Sequence, residues 1–151
     1  MHLTIFTDYT MRVLIYLGLR RDGLVTISDI AKAYGISENH LMKVVHQLAQ
    51  RGYIETVRGK GGGMRLAREP EDINLGQLIR QTEGDGSLLA CLDGNGACCI
   101  QNTCSLVGIL REAQTALFAV LAKYTLADLL VNEQPLSKIL FYPRPAESTT
   151  G

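Results

Sequence analysis

The sequence predicts a mostly α-helical protein with a small β wing: a winged helix-turn-helix DNA-binding domain followed by a long dimerisation helix. Three observations carry that prediction. A short helical pattern, a glycine turn and a longer helical pattern with an amide- and cation-rich face follow one another over residues 29–51. Two short strand patterns then flank the glycine-rich tip Arg58-Gly-Lys-Gly-Gly-Gly63. Farther on, apolar residues recur at 4-3-4-3-4 spacing from Leu106 to Tyr124.

Residues 8–19 place Met11, Leu14, Ile15 and Leu19 on one stripe of a first helix, which Thr7 or Asp8 can cap. The Asp22-Gly23 turn follows, and Leu24-Val25-Thr26 is a short extended link. Ser28 caps a second helix over residues 29–34, which Gly35 ends. Ser37 caps a third over residues 38–51, closed by Gly52 where a left-handed residue is wanted. Leu41, Val44, Val45 and Leu48 line the apolar face of this third helix. Asn39, His40, Lys43, His46, Gln47, Gln50 and Arg51 occupy the other face, opposed only by Glu38. Helix, glycine turn, longer helix is the helix-turn-helix pattern. Donors on such a face suit phosphates and base edges, so Ser37, Asn39, His40, Lys43, His46 and Gln47 are the candidate DNA-contacting residues there.

Strand patterns at 53–57 and 64–66 make the glycine tip a hairpin wing, whose Arg58 and Lys60 can meet phosphates. The tip is not a nucleotide phosphate loop, because no Gly-Lys-Ser/Thr is present and no helix follows directly. Asn74 caps a helix running through Thr82, and Gly84-Asp85-Gly86 leads out of it. Residues 105–124 then form a helix of about 20 residues, ~30 Å long. Its seam of Leu106, Leu110, Ala113, Leu117, Val120 and Tyr124 suits pairing with a second copy. Residues 125–130 make one more short helix, and the tail 143–151 is expected to be loose.

Net charge is zero over 151 residues, yet the two halves differ. Residues 1–68 carry ten Lys/Arg against five Asp/Glu, whereas residues 69–151 carry five against ten. The front half is therefore +5 and suited to a polyanion, the back half −5. With 46% hydrophobic residues the chain can bury one ordinary core. No membrane partner is expected, since the apolar run 11–19 is short and contains Arg12. No signal-peptide pattern opens the chain, so a reducing, cytoplasmic setting is expected, where structural disulfides are rare. An enzyme is not expected, because His2, His40 and His46 form no metal pair and no nucleophile–base arrangement is suggested.

All four cysteines fall between residues 91 and 104: Cys91, Cys98, Cys99 and Cys104. Gly94 and Gly96 make the stretch a turning loop able to bring sulfurs toward one point. A metal or iron–sulfur site, a redox disulfide and incidental thiols are the three readings. Zinc favours paired short knuckles, which this loop lacks. The wider gaps between Cys91, Cys98 and Cys104 suit a bulkier, thiolate-bound iron–sulfur cluster. Cys99, beside Cys98, is the spare, and the fourth ligand stays open.

Together, Leu3-Thr-Ile-Phe-Thr-Asp-Tyr9, the wing Val57-Arg-Gly-Lys-Gly-Gly-Gly63, the spaced cysteines and Tyr124-Thr-Leu-Ala-Asp-Leu129 resemble the IscR/NsrR superfamily of iron–sulfur winged-helix regulators. The resemblance spans roughly residues 1–141 and is strongest to the nitric-oxide-sensing, NsrR-type branch. It implies a homodimeric repressor on palindromic double-stranded promoter DNA, with each subunit ligating a cluster through Cys91, Cys98 and Cys104. In that branch an N-terminal aspartate from the other subunit completes the ligand set, which maps onto Asp8. Members of the other branch use a histidine three residues past the last cysteine, where this chain has Val107. The implied cofactor is [4Fe–4S] in preference to [2Fe–2S], and nitric oxide is the implied signal that releases DNA. The alternatives are a regulator sensing iron or cluster supply through [2Fe–2S], and an electron-transfer protein. The corresponding divisions are a DNA-binding domain at 1–83, a cluster loop at 84–104, a dimerisation region at 105–131 and a tail at 132–151.

Overall fold

The computed structural model describes residues 2–84, 86, 88–93 and 98–142. Asp85 of the link, the turning glycines Gly94 and Gly96, and the tail 143–151 lie outside the described residues. Helices α1 (Ile5–Leu19), α2 (Ile27–Tyr34) and α3 (Glu38–Gln50) precede strands β1 (Ile54–Val57) and β2 (Gly63–Leu66), then α4 (Leu75–Glu83). Beyond the cysteines come α5 (Ser105–Leu121), α6 (Leu126–Leu129) and α7 (Glu133–Phe141). The fold is mostly helical with a two-stranded wing, as the sequence predicts.

Helix α1 is the centre of the core. It packs on α3, α4, α6, α7 and β2 and buries Val13, Leu14, Tyr16 and Leu17. The single stripe expected from Met11, Leu14, Ile15 and Leu19 is corrected here: only Leu14 of these is fully buried. A helix covered on several sides has no one apolar face to read. Helix α3, covered on one side, buries the expected Leu41, Val44, Val45 and Leu48.

The starts of two helices also differ from expectation. Thr4 rather than Thr7 or Asp8 caps α1, its Oγ accepting the Thr7 N–H at 3.2 Å. Thr26 rather than Ser28 caps α2, in a reciprocal box with Asp29. Asn74 caps α4 as expected, accepting from the Gln77 N–H at 3.0 Å. Ser37 stands at the N-cap of α3, but its hydroxyl makes no capping bond.

The cap of α1 is completed from far away. A capping box needs a carboxylate or amide at the fourth residue to accept the N-cap N–H, and Thr7 stands at that position. Glu83, the last residue of α4, accepts instead from the Thr4 N–H at 2.8 Å and the Thr4 hydroxyl at 3.0 Å, and also from the buried Thr7 hydroxyl. Burial raises the Glu83 pKa, but the bonds from Thr7 and Thr4 outweigh it and hold the carboxyl below its usual value.

Strands β1 and β2 pair antiparallel from Ile54↔Leu66 to Val57↔Gly63. Val25 of the extended link adds a bridge to Met64, with N–O distances of 2.9 and 2.7 Å. The end of α5 is stitched back to the domain. The Leu75 N–H donates to the Tyr124 carbonyl at 3.0 Å, the Leu126 N–H to the Ile73 carbonyl at 2.9 Å, and Leu126 is fully buried. Residues 133–141, expected within a tail, form α7. Leu140 is buried, and Phe141 lies edge-on to Tyr16 with centroids 5.0 Å apart, beneath the Arg20 guanidinium. Pro135 stands in the first turn of α7, where proline is tolerated.

Gly76→Ala should destabilise the protein by about 1–3 kcal/mol through overpacking, read by thermal unfolding. A Cβ there would lie 2.7 Å from the Ala122 backbone nitrogen, which outweighs the ~1 kcal/mol that alanine normally gains over glycine in a helix. Glu83→Gln should cost about 1 kcal/mol at neutral pH. A carboxyl with a lowered folded pKa stabilises above its ordinary value and loses that contribution as pH falls through the lowered one. The difference between variant and wild type should therefore vanish in acid, as measured by denaturation across pH.

Candidate DNA-reading surface and cysteine loop

Helix α3 turns Asn39, His40, Lys43, His46 and Gln47 to solvent, with Ser37 exposed at its start. The His40 ring is backed by Tyr9 of α1 at 6.1 Å between centroids. Arg51, placed by its spacing on the same polar face, is instead engaged: its Nη1 donates to the Gln81 carbonyl at 2.8 Å. Arg68 is engaged as well, donating to the Gly52 and Arg51 carbonyls and lying over the Tyr53 ring.

The wing tip has a backbone that only glycine allows. Gly59 and Gly61 have φ of 96° and 76°, and a Cβ on Gly62 would meet the Val57 carbonyl oxygen at 2.2 Å. This tight turn holds Arg58 and Lys60 exposed. Arg65, one strand residue inward, pairs with Glu55 directly across the ladder. Among the described residues no ion pair involves Arg58, Lys60 or Lys43. These three cations are therefore available to an external polyanion, whereas Arg65 is partly neutralised.

The cysteine stretch leaves α4 at Glu83 and rejoins the helical body at α5. Cys91 and Cys104 are half-buried, Cys98 and Cys99 exposed, and all four are free thiols. Among the described residues no three His, Cys, Asp or Glu side chains of one chain are grouped to hold a metal. The backbones of the three candidate ligands nonetheless meet at one residue, Gln101. Its N–H donates to the Cys98 carbonyl, its carbonyl accepts from the Cys104 N–H, and its Nε2 donates to the Cys91 carbonyl. Asp8 is exposed on the first turn of α1 and pairs with Arg12 at 2.9 Å. Neither Gln101 nor Glu83 was legible as a site residue, because the bonds that distinguish them span 10 and 76–79 residues.

Helix α5 buries none of its residues. Arg80 of α4 lies over Phe118 at 4.4 Å, covering one side. The helix ends at Leu121, short of the expected 124, so Tyr124 lies beyond it. Along the expected seam Leu106 is 48% exposed, Leu117 37% and Val120 51%, while Leu110 is half-buried.

A reading helix with a free polar face, backed by a cation-tipped wing, defines a winged helix-turn-helix protein. The chain belongs to the Rrf2 family, whose model, described as an iron-dependent transcriptional regulator, matches residues 3–132. It is 51% identical over 142 residues to the HTH-type transcriptional regulator NsrR of Bacillus subtilis, covering 93% of this chain and 97% of that one. The NsrR of Bacillus licheniformis is 46% identical over 142 residues, covering 93% and 99%. Among solved structures, T. potens IscR superposes with a TM-score of 0.71 at 26% identity, covering 90% of each chain. The chain is thus a DNA-binding transcriptional regulator and not an enzyme. No helix among the described residues is long and apolar enough to cross a membrane.

Lys60→Ala should weaken binding to all duplex sequences about equally and lower the slope of log affinity against log salt by about one for each subunit bound, about two for a dimer. Gln47→Ala should instead change preference at particular base pairs, by about 1–3 kcal/mol at the affected position. Fluorescence anisotropy with promoter and scrambled duplexes at several salt concentrations separates the two.

Proposed function

We propose that this chain is a cytoplasmic homodimeric repressor whose hold on promoter DNA is governed by nitric oxide through an iron–sulfur cluster, [4Fe–4S] rather than [2Fe–2S]. The observation that carries this reading is the position of the thiols, on a loop strung between the DNA-reading domain and a partly exposed apolar helix. The donor set fits such a group: three free, soft thiols with Gln101 at their common backbone junction. Cys91, Cys98 and Cys104 would hold it, with Asp8 of the partner subunit as fourth ligand. When bound, the cluster supplies irons that nitric oxide attacks.

The chain's own residues then do the rest. The seam of α5 pairs with a second copy, setting two α3 helices about one helical turn of DNA apart, ~34 Å. Ser37, Asn39, His40, Lys43, His46 and Gln47 face the major groove, and Arg58 and Lys60 grip the flanking phosphates. Asp8 gives up little to reach the other subunit, since a surface pair at i,i+4 such as Asp8–Arg12 is worth about 0.3–0.5 kcal/mol. Leu3 and Ile5, exposed apolar residues beside it, mark a corner suited to being covered. Losing that cross-subunit tie lets the two reading helices move apart in register.

After anaerobic reconstitution, Ala at Cys91, Cys98 or Cys104 should abolish the visible chromophore or shorten its lifetime severely, and Cys99→Ala should keep it. A gel shift of the loaded wild type, titrated with nitric oxide, should show operator release. Undiminished binding after complete reaction would sink the proposal. Asp8→Ala should change the rate of reaction more than the iron content.

A further inference from the structure

Gln101 is in contact with the backbone of every cysteine that the cluster reading uses. Its N–H donates to the Cys98 carbonyl at 3.1 Å, and its carbonyl accepts from the Cys104 N–H at 3.4 Å. Those are turn bonds that any residue but proline could make. The third bond is particular to this side chain: Nε2 donates to the Cys91 carbonyl at 2.6 Å, across ten residues of chain. It needs a donor on a side chain of this reach.

The same amide carries an unpaired atom. Its Oε1 is buried and has no hydrogen-bond partner among the described residues. A buried acceptor left unmet is costly, so the amide is not there for packing alone. Flipping it would set Oε1 against the Cys91 carbonyl, acceptor facing acceptor, and leave both unmet. The orientation with NH2 on Cys91 is therefore fixed. Local rules are broken in this way where a residue serves a site rather than the fold.

We propose that Gln101 is the positioning residue of the cysteine site, tying the segment that bears Cys91 to the turn that bears Cys98 and Cys104. The proposal rests on the cluster reading above. With the tie in place, the three ligand-bearing segments are gathered before iron arrives. Without it, closing the Cys91 segment onto the turn falls to the iron–thiolate bonds themselves, and the loop-closure entropy is taken out of cluster retention.

The test uses the full chain with Gln101→Met, which keeps length and removes the donor, and Gln101→Lys, which restores a donor of similar reach. Two quantities are followed: iron release from anaerobically reconstituted protein to a ferrous chelator, and amide hydrogen exchange of residues 88–93 in the cluster-free protein. The Met variant should release iron at least about tenfold faster, in line with other outer-sphere partners of metal ligands. Its 88–93 segment should exchange faster with no cluster present, and the Lys variant should move both readings back toward wild type. Should the Met variant fail to fold, Gln101→Asn, too short to reach Cys91, carries the same comparison. Equal release and equal exchange in wild type and Met variant would overturn the proposal and leave the cluster reading standing. A wild type that takes up no iron and sulfide would overturn both.

Discussion

The first turn of α1 joins the hub of the core to the root of the cysteine stretch. The helix is the hub of the core, yet its own sequence cannot finish its N-terminus, because Thr7 stands where a carboxylate should close the capping box. Glu83 supplies that carboxylate from the far end of α4, and the next residue, Gly84, turns away with φ of 68° toward the cysteines. The start of the central helix and the start of the cysteine stretch are thus held by one side chain. Any displacement of the loop's root acts on the turn that carries Asp8.

The helix that follows the loop is held at its far end, by different means. Helix α5 rests on α4 and buries none of its residues, and its C-terminal end is the part tied most closely to the domain. Asn74 caps α4 through its oxygen and donates through its amide to the Ala122 carbonyl at 2.8 Å, so one residue serves both helices. Gly76 allows the two backbones this close. The fully buried Leu126 and the packed helix α7 then anchor the C-terminal end of α5 to α1 and α2. The apolar seam of α5 is presented from a rigid root rather than from a flexible tether.

How much of the fold is legible in the sequence depends on the range of the forces involved. Helix α3 is read correctly to its four core residues, because a helix covered on one side writes its burial as a period of 3.6. The wing is legible for a similar reason, since Gly59, Gly61 and Gly62 are dictated by a turn of a few residues. The cap of α1, the Gln101 junction and the burial pattern of α1 are not legible, because their partners are distant in sequence and only the fold brings them close. Helix α7, placed within a tail, is missed on the same grounds: Phe141 packs on Tyr16 and Arg20, more than 120 residues away in sequence, and Leu140 is buried. The cysteines are legible as a set, since their crowding is local, while the tie that gathers them is not.

The strength of the visible ties also limits how a signal at the cysteines could reach DNA. A useful switch needs a coupling of ~3 kcal/mol, about 150-fold in affinity. The Asp8–Arg12 pair is half exposed and cannot supply that much. Nor can Arg58 and Lys60, which are solvated and contribute whether or not the cysteines are occupied. Within one chain this leaves the Glu83 junction, whose three donors include a buried hydroxyl. A junction of that size can transmit a displacement, but its few bonds are too weak to account for the whole coupling. On the proposed reading the balance comes from contacts between two copies, for which the seam of α5 and the exposed Leu3–Ile5 corner beside Asp8 are candidate surfaces. On the proposed reading, these two surfaces are joined through the cluster. Its loss then removes a cross-subunit ligand where intrasubunit bonds alone would be too weak to hold the reading helices in register.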